Sequence, residues 1–169
     1  MDSVLHTPRI RWTVPNRPTP ILAMTIDPKT GEVDIAGVRV GSNLMENDFL
    51  TSDVGKLATL AQSTNGRNWY SIWLPDPGGR EAGMTLAFVP GEKLRRIRIK
   101  MVKPETRRRG VWPATAEDEM KAFHDQLLRG QLGEPPYNFP WGWIASVIDD
   151  HDSSAVIIVI YGARPKTRR

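Results

Sequence analysis

The sequence contains no cysteine and only three histidines among its 169 residues. The absence of cysteine excludes structural disulfides, thiolate metal sites and a cysteine nucleophile. No stretch approaches the ~20 apolar residues that a transmembrane helix requires, and the N-terminal residues lack the continuous apolar segment of a secretory signal. We therefore expect a cytoplasmic protein that does not enter a membrane.

Motifs for catalysis and phosphate binding are also missing. None of the histidines accompanies a GxSxG elbow, and the glycine-containing segments lack the Walker and Rossmann spacings. His124 stands beside Asp125 on a predicted helix, and we interpret the two as a surface pair. The sequence therefore predicts a protein that is not an enzyme and holds no cofactor.

The composition indicates a folded core, because 40% of the residues are hydrophobic and six are tryptophan. Prolines are dense in residues 1–20, which we interpret as an arm without regular structure. Residues 21–163 show no shift in composition and are predicted to form a single domain. Residues 164–169 form a basic tail, and the net charge of the chain is +4.

Alternating apolar and polar residues predict a mostly antiparallel sheet of about six strands, with one or two helices on one face. A turn at residues 27–31 joins the first two strands, and a short or broken helix follows within residues 45–61. The segments NWYSIWL, AGMTLAFV and KLRRIRIKMV form a meander. A helix is predicted from Thr115 to Gly130, before a hairpin of WIASVID and SAVIIVIY. The fold class is therefore α+β.

Two strands of the meander place large aromatic and basic side chains on one face. Successive side chains along a strand point to opposite faces, so Trp69 shares a face with Trp73, and Arg96 with Arg98 and Lys100. We predict that this face, with the nearby arginines, binds a partner through Trp69, Trp73, Arg96, Arg98, Lys100, Arg107 and Arg108. The alternatives are a nucleic-acid-binding surface formed by residues 93–109, or a solvated face whose tryptophans pack under a loop.

Asp149, Asp150, His151 and Asp152 form a cluster between the last two strands. Carboxylate and imidazole groups bind divalent ions, so Asp150, His151 and Asp152 are weak candidates for metal ligands. Neighbouring side chains diverge, however, and neither a calcium-loop nor an HExxH spacing is present. A polar hairpin turn is the simpler interpretation, and we predict no metal site.

Three segments resemble a known group of proteins: TIDPKTGEVDIAGVRVG with NDFLTSDVG, then FVPGEKLRRIRIKM, and finally YNFPWGWIASVIDDHDSSAVIIVIYG. Their order resembles that of small uncharacterised bacterial proteins similar to immunity proteins encoded beside polymorphic toxins. The resemblance covers roughly residues 24–162 and implies binding of a cognate toxin domain. A basic protein would favour an acidic patch on that partner. DDHDSS departs from the group's glycine-containing turn, which leaves room for a special role of Asp150 and His151.

Overall fold

The fold is known from a computed structural model, which describes residues 24–75, 79–110 and 112–162. The proline-rich arm predicted at residues 1–20 and the basic tail predicted at residues 164–169 lie outside these ranges. Within them, no helix combines the length and the apolar character needed to cross a membrane.

The described residues contain two antiparallel sheets. The small sheet has the order β1-β2-β3 and consists of β1 (Thr25–Ile26), β2 (Val33–Ile35) and β3 (Val38–Val40). The large sheet has the order β4-β5-β6-β7-β10-β9-β8. Its strands are β4 (Thr59–Thr64), β5 (Arg67–Pro75), β6 (Glu81–Phe88), β7 (Leu94–Val102), β8 (Tyr137–Phe139), β9 (Gly142–Asp149) and β10 (Ser154–Tyr161). The predicted α+β class, the meander and the closing hairpin are confirmed.

Four helices lie in the described part of the chain: α1 (Glu46–Thr51), α2 (Asp53–Leu57), α3 (Pro104–Arg109) and α4 (Ala116–Leu132). The predicted broken helix is α1 followed by α2, and Ser52 caps α2 by accepting a hydrogen bond from the Gly55 N–H at 3.0 Å. α4 passes through Gly130 and ends before Gly133, whose φ of 80° stops the helix. Its last residue, Leu132, therefore lies two residues beyond the predicted end at Gly130.

One hydrophobic cluster connects the two sheets with the helices. The large sheet contributes the side chains that face α4, on what we call its inner face, including Ile72, Ile99 and Ile157. Phe49 of α1 and Leu128 of α4 belong to the same cluster. β10 is buried on both faces, as its apolar sequence predicts, and it lies between β7 and β9.

His124 lies in this core and does not form the predicted surface pair with Asp125. Its side chain is 0% exposed, and its Nε2 accepts a hydrogen bond from the Met101 N–H at 3.1 Å. Burial, followed by the nearby charge of Arg80, lowers the pKa of His124 to about 4. The imidazole is therefore neutral at pH 7 and serves as an acceptor for the backbone of β7.

Glu46 is a second buried polar residue, and it fastens α1 to the large sheet. Its carboxylate accepts hydrogen bonds from the Tyr70 hydroxyl and the Asn68 amide, each at 2.7 Å, and from the Gly91 N–H. Burial alone would raise the pKa of Glu46, but these hydrogen bonds outweigh it and lower the pKa. The ionised carboxylate thus joins α1, β5 and the turn between β6 and β7.

Replacing Glu46 with glutamine should lower the free energy of unfolding by about 1–3 kcal/mol, because an amide presents one acceptor oxygen to three donors. Urea denaturation measures the loss. Glu92→Gln is the matched control, since the Glu92 carboxylate is exposed and only pairs with Arg95 at 3.5 Å. An equal loss in both variants would contradict the role given to Glu46.

The neutral state of His124 makes stability depend on pH. The unfolded chain takes up a proton below about pH 6.5, whereas the folded chain resists protonation until about pH 4. The contribution of neutral His124 to the free energy of unfolding is therefore complete above pH 6.5, and about 3 kcal/mol of stability is lost as the pH falls to 4. The His124→Gln variant retains a hydrogen-bond acceptor but cannot take up a proton. Its free energy of unfolding, measured by denaturation between these pH values, should therefore change much less with pH. An unchanged pH dependence would contradict the assignment.

Candidate partner-binding face

The predicted aromatic and basic residues share the face of the large sheet opposite α4, which we call the outer face. The strand register aligns Trp73, Gly83 and Lys100 in one row across β5, β6 and β7. The next row contains Ser71, Thr85 and Arg98, and the third contains Trp69, Ala87 and Arg96. Small residues on β6 thus separate the tryptophans from the cations. Two of them, Gly83 and Thr85, line a cavity of about 170 Å³ between Trp73 and the cations Arg98 and Lys100.

Trp73 forms one wall of this cavity and is held on both sides. A Cβ atom at Gly83 would lie 2.8 Å from the Trp73 ring, so the ring needs glycine at that position. The guanidinium of Arg107 lies 4.3 Å from the ring centroid, and Arg107 is itself fixed by Glu81 at 2.7 Å. Trp73 nevertheless remains 42% exposed. It is an ordered aromatic surface that a partner can bury.

The aspartates of the closing turn lie against the basic residues of β7. Asp149 pairs with Arg98 at 2.7 Å. Asp152 lies 3.4 Å from Arg98 and 3.2 Å from Lys100. β9, β10 and β7 are neighbours in the sheet, so the turn that joins β9 to β10 comes close to the end of β7 that carries Arg98 and Lys100.

The turn itself is organised by its own side chains. Asp149 accepts the His151 N–H at 3.0 Å, and Asp152 accepts both the backbone N–H and the hydroxyl of Ser154. Burial alone would raise the pKa of Asp152, but Ser154 and the two cations lower it to about 2. Ser153 adopts a φ of 52°, a conformation that the glycine of a conventional turn would favour.

Asp150 and His151, the candidate metal ligands, are exposed at the tip of the turn. Asp152, the third candidate, uses its oxygens for Ser154, Arg98 and Lys100. No set of three histidine, aspartate or glutamate side chains could hold a metal ion within residues 24–75, 79–110 and 112–162. Two residues of this cluster, Asp149 and Asp152, instead pair with the basic residues of β7.

Arg96 differs from Arg98 and Lys100, the other cations of β7 on the outer face. No carboxylate of the described residues lies within ion-pair distance of it, and its guanidinium lies 5.8 Å from the Trp69 ring. Burial, followed by repulsion from Arg98, lowers the pKa of Arg96. Arg96 thus forms no ion pair among the described residues, although the charge of Asp149 acts on it from beyond ion-pair distance.

The last two predicted contacts belong to α3, a helix that our sequence analysis missed. Arg107 reaches Trp73, whereas the Nε of Arg108 contacts only the Pro104 carbonyl of its own helix, among the contacts described, at 3.4 Å. The signals of a helix were present: proline at the first position, an acidic residue in the first turn, arginines in the last turn and Gly110 at the end. The density of arginine drew attention to charge instead.

Comparison with known proteins finds a similar fold. No protein-family model and no curated protein matches the sequence. Among solved structures, the chain is similar to a chain of the complex "Rhs1-CT in complex with cognate immunity protein RhsI1", with a TM-score of 0.56 and 15% identity. The match covers 82% of this chain and 86% of the other. The resemblance suggested by the motifs is confirmed at the level of fold.

The ion pairs of the turn predict a graded response to neutralisation. Asp149→Asn should lower the free energy of unfolding by about 1–2 kcal/mol, because its side chain is only 10% exposed and bonds a charged partner at 2.7 Å. Asp152→Asn should cost less than about 1 kcal/mol, since Asp152 is more exposed. Asp150→Asn is the control and should be neutral. Thermal denaturation at low salt measures the order, and a dominant effect of Asp150 would contradict it.

Proposed function

We propose that this chain is an immunity protein: it binds a cognate toxin domain and neutralises it without catalysing a reaction. The fold match to a chain of a toxin–immunity complex carries the proposal. The order of the motifs in residues 24–162 supports it independently of the fold. We propose that the encounter takes place in the cytoplasm.

The outer face has the properties of a binding surface for a protein. Interface energies are concentrated in a few tryptophan, tyrosine and arginine residues that are ordered before binding. Trp73 meets this condition because Gly83 and Arg107 fix its ring. Trp69, on the same strand as Trp73, and Arg96 of β7 extend the surface. We propose these residues, together with Arg98, Lys100, Arg107 and Arg108, as the region that contacts the toxin.

The charges of this face indicate the character of the partner. Asp149, Asp152 and Glu81 offset most of the positive charge of Arg98, Lys100 and Arg107. Arg96 and its neighbour Arg67 form no ion pair among the described residues, so the face keeps a small positive excess around these two arginines. We propose that the toxin presents a limited acidic patch to Arg96 rather than a broad acidic surface.

The ion pairs formed by Arg98 and Arg107 favour a protein partner over nucleic acid. A phosphate chain would have to displace Asp149 from Arg98 at 2.7 Å and Glu81 from Arg107 at 2.7 Å. Sequence-independent binding to nucleic acid depends on cations that release counterions when phosphates bind, and cations already paired with carboxylates contribute little to that release. A short acidic patch needs only Arg96, which forms no ion pair among the described residues.

Calorimetric titration with the toxin domain encoded beside this chain should give a dissociation constant below 1 μM, roughly the range of specific complexes. Trp73→Ala and Arg96→Gln should each weaken binding by about tenfold or more, because they remove an aromatic anchor and a positive charge. Trp112→Ala is the matched control: Trp112 is 43% exposed but lies beside α4, away from the outer face.

Two outcomes would contradict the proposal. The first is no detectable binding by folded protein at micromolar concentrations. The second is an equal loss of affinity in Trp112→Ala and Trp73→Ala, which would move the contact away from the outer face. Circular dichroism of each variant establishes that it is folded before its affinity is compared.

A further inference from the structure

The second half of β9 forms an incomplete edge of the large sheet. β8 pairs only with the first residues of β9, with Tyr137 opposite Ile144 and Phe139 opposite Gly142. Residues 145–149 of β9 pair with β10 on one side and with no strand of the described residues on the other. No backbone group within the described ranges, apart from those of β10, forms a hydrogen bond with the backbone of residues 145–149.

Prolines explain why β8 does not begin earlier in the chain. Pro135 and Pro136 directly precede β8, and neither has an N–H to donate to a strand. A longer β8 would have placed Pro136 opposite Ala145 and Pro135 opposite Ser146 of β9, by extension of the observed register. The chain therefore joins the sheet only at Tyr137, and the second half of β9 has no strand beside it at the edge among the described residues.

This edge is regular, whereas the opposite edge of the sheet is not. β9 pairs with β10 without a register shift from Gly142 to Asp149. β4, at the other edge, has a shift between Leu60 and Gln62, an irregularity that hinders the addition of a further strand. Residues 145–149 contain neither proline nor lysine, and Ile148 is 40% exposed. The β9 edge therefore lacks the usual protection against strand pairing.

A cavity of about 310 Å³ adjoins the same edge. Its lining includes Lys121, Asp125 and Arg129 of α4 together with Pro136 and Tyr137. The charges on α4 are already matched, since Lys121 pairs with Asp125 at 2.8 Å and Arg129 pairs with Glu134 at 3.3 Å. A charged occupant would disturb these pairs, so the cavity suits one uncharged side chain.

We propose that an extended segment of the toxin domain pairs with residues 145–149 as an additional strand and places an uncharged side chain in this cavity. Strand addition derives affinity from backbone hydrogen bonds and specificity from pockets that accept alternate side chains. The regular edge supplies the backbone hydrogen bonds, and the cavity beside α4 supplies the pocket for a side chain. The inference rests on the proposed function and adds a second contact, separate from the outer face.

Hydrogen exchange with mass spectrometry tests this contact in the complex with the toxin domain encoded beside this chain. Backbone amides in residues 145–149 should exchange at least about tenfold more slowly in the complex than in the free protein, because outward N–H groups gain acceptors. Amides of β4 should keep their rates. Ile148→Lys should weaken binding about tenfold by placing a charge at the new strand pair. Leu60→Lys, on the exposed opposite edge, is the control and should bind normally.

The outcomes separate this inference from the proposed function. A complex that forms without protecting residues 145–149 overturns the strand addition and leaves the immunity role standing. Protection of β4 instead of β9 also overturns it. If no complex forms at micromolar concentrations, the proposed function fails, and the strand addition fails with it.

Discussion

The structure depends on the pairing of β10 with β7 and β9. β10 is apolar on both faces, so it must lie inside the sheet, and its register places Ile158 beside Arg98. That register directs Ile97 and Ile99 into the core and turns the cations of β7 to the outer face. It also carries the turn after β9 to Arg98 and Lys100. The core, the basic face and the acidic turn therefore follow from one alignment of strands.

This alignment gives the aspartate cluster its role. Asp149 and Asp152 pair with Arg98 and Lys100 of β7, which leaves Arg96 without an ion-pair partner among the described residues. The outer face thus combines an ordered tryptophan, a small cavity and positive charge at Arg96 and its neighbour Arg67 that is not paired with a carboxylate among the described residues. Such a surface suits recognition of a protein, in which a few anchors dominate the energy and the surrounding contacts exclude water. The strand addition proposed at the β9 edge would be a second contact, separate from the outer face.

Periodicity in the sequence predicted the meander, the closing hairpin and the side chains on each face of β5 and β7, because alternation is a local property. It could not predict that Asp149 would meet Arg98, since that contact joins residues far apart in sequence through the order of strands. His124 was misjudged for a similar reason: its neighbour Asp125 suggested a surface pair, but α4 packs on β7 so that the imidazole bonds Met101. β8 was missed because prolines and aromatics made its segment resemble a loop.

The central claim is that this chain protects a cell by binding a toxin domain. The most direct measurement is the growth of bacteria that produce the toxin domain encoded beside this chain, with and without co-production of the chain itself. The account predicts that cells stop growing without the chain and grow normally with it, and that protection requires the two proteins to co-purify. Continued growth arrest in cells that contain the folded, soluble chain would contradict it.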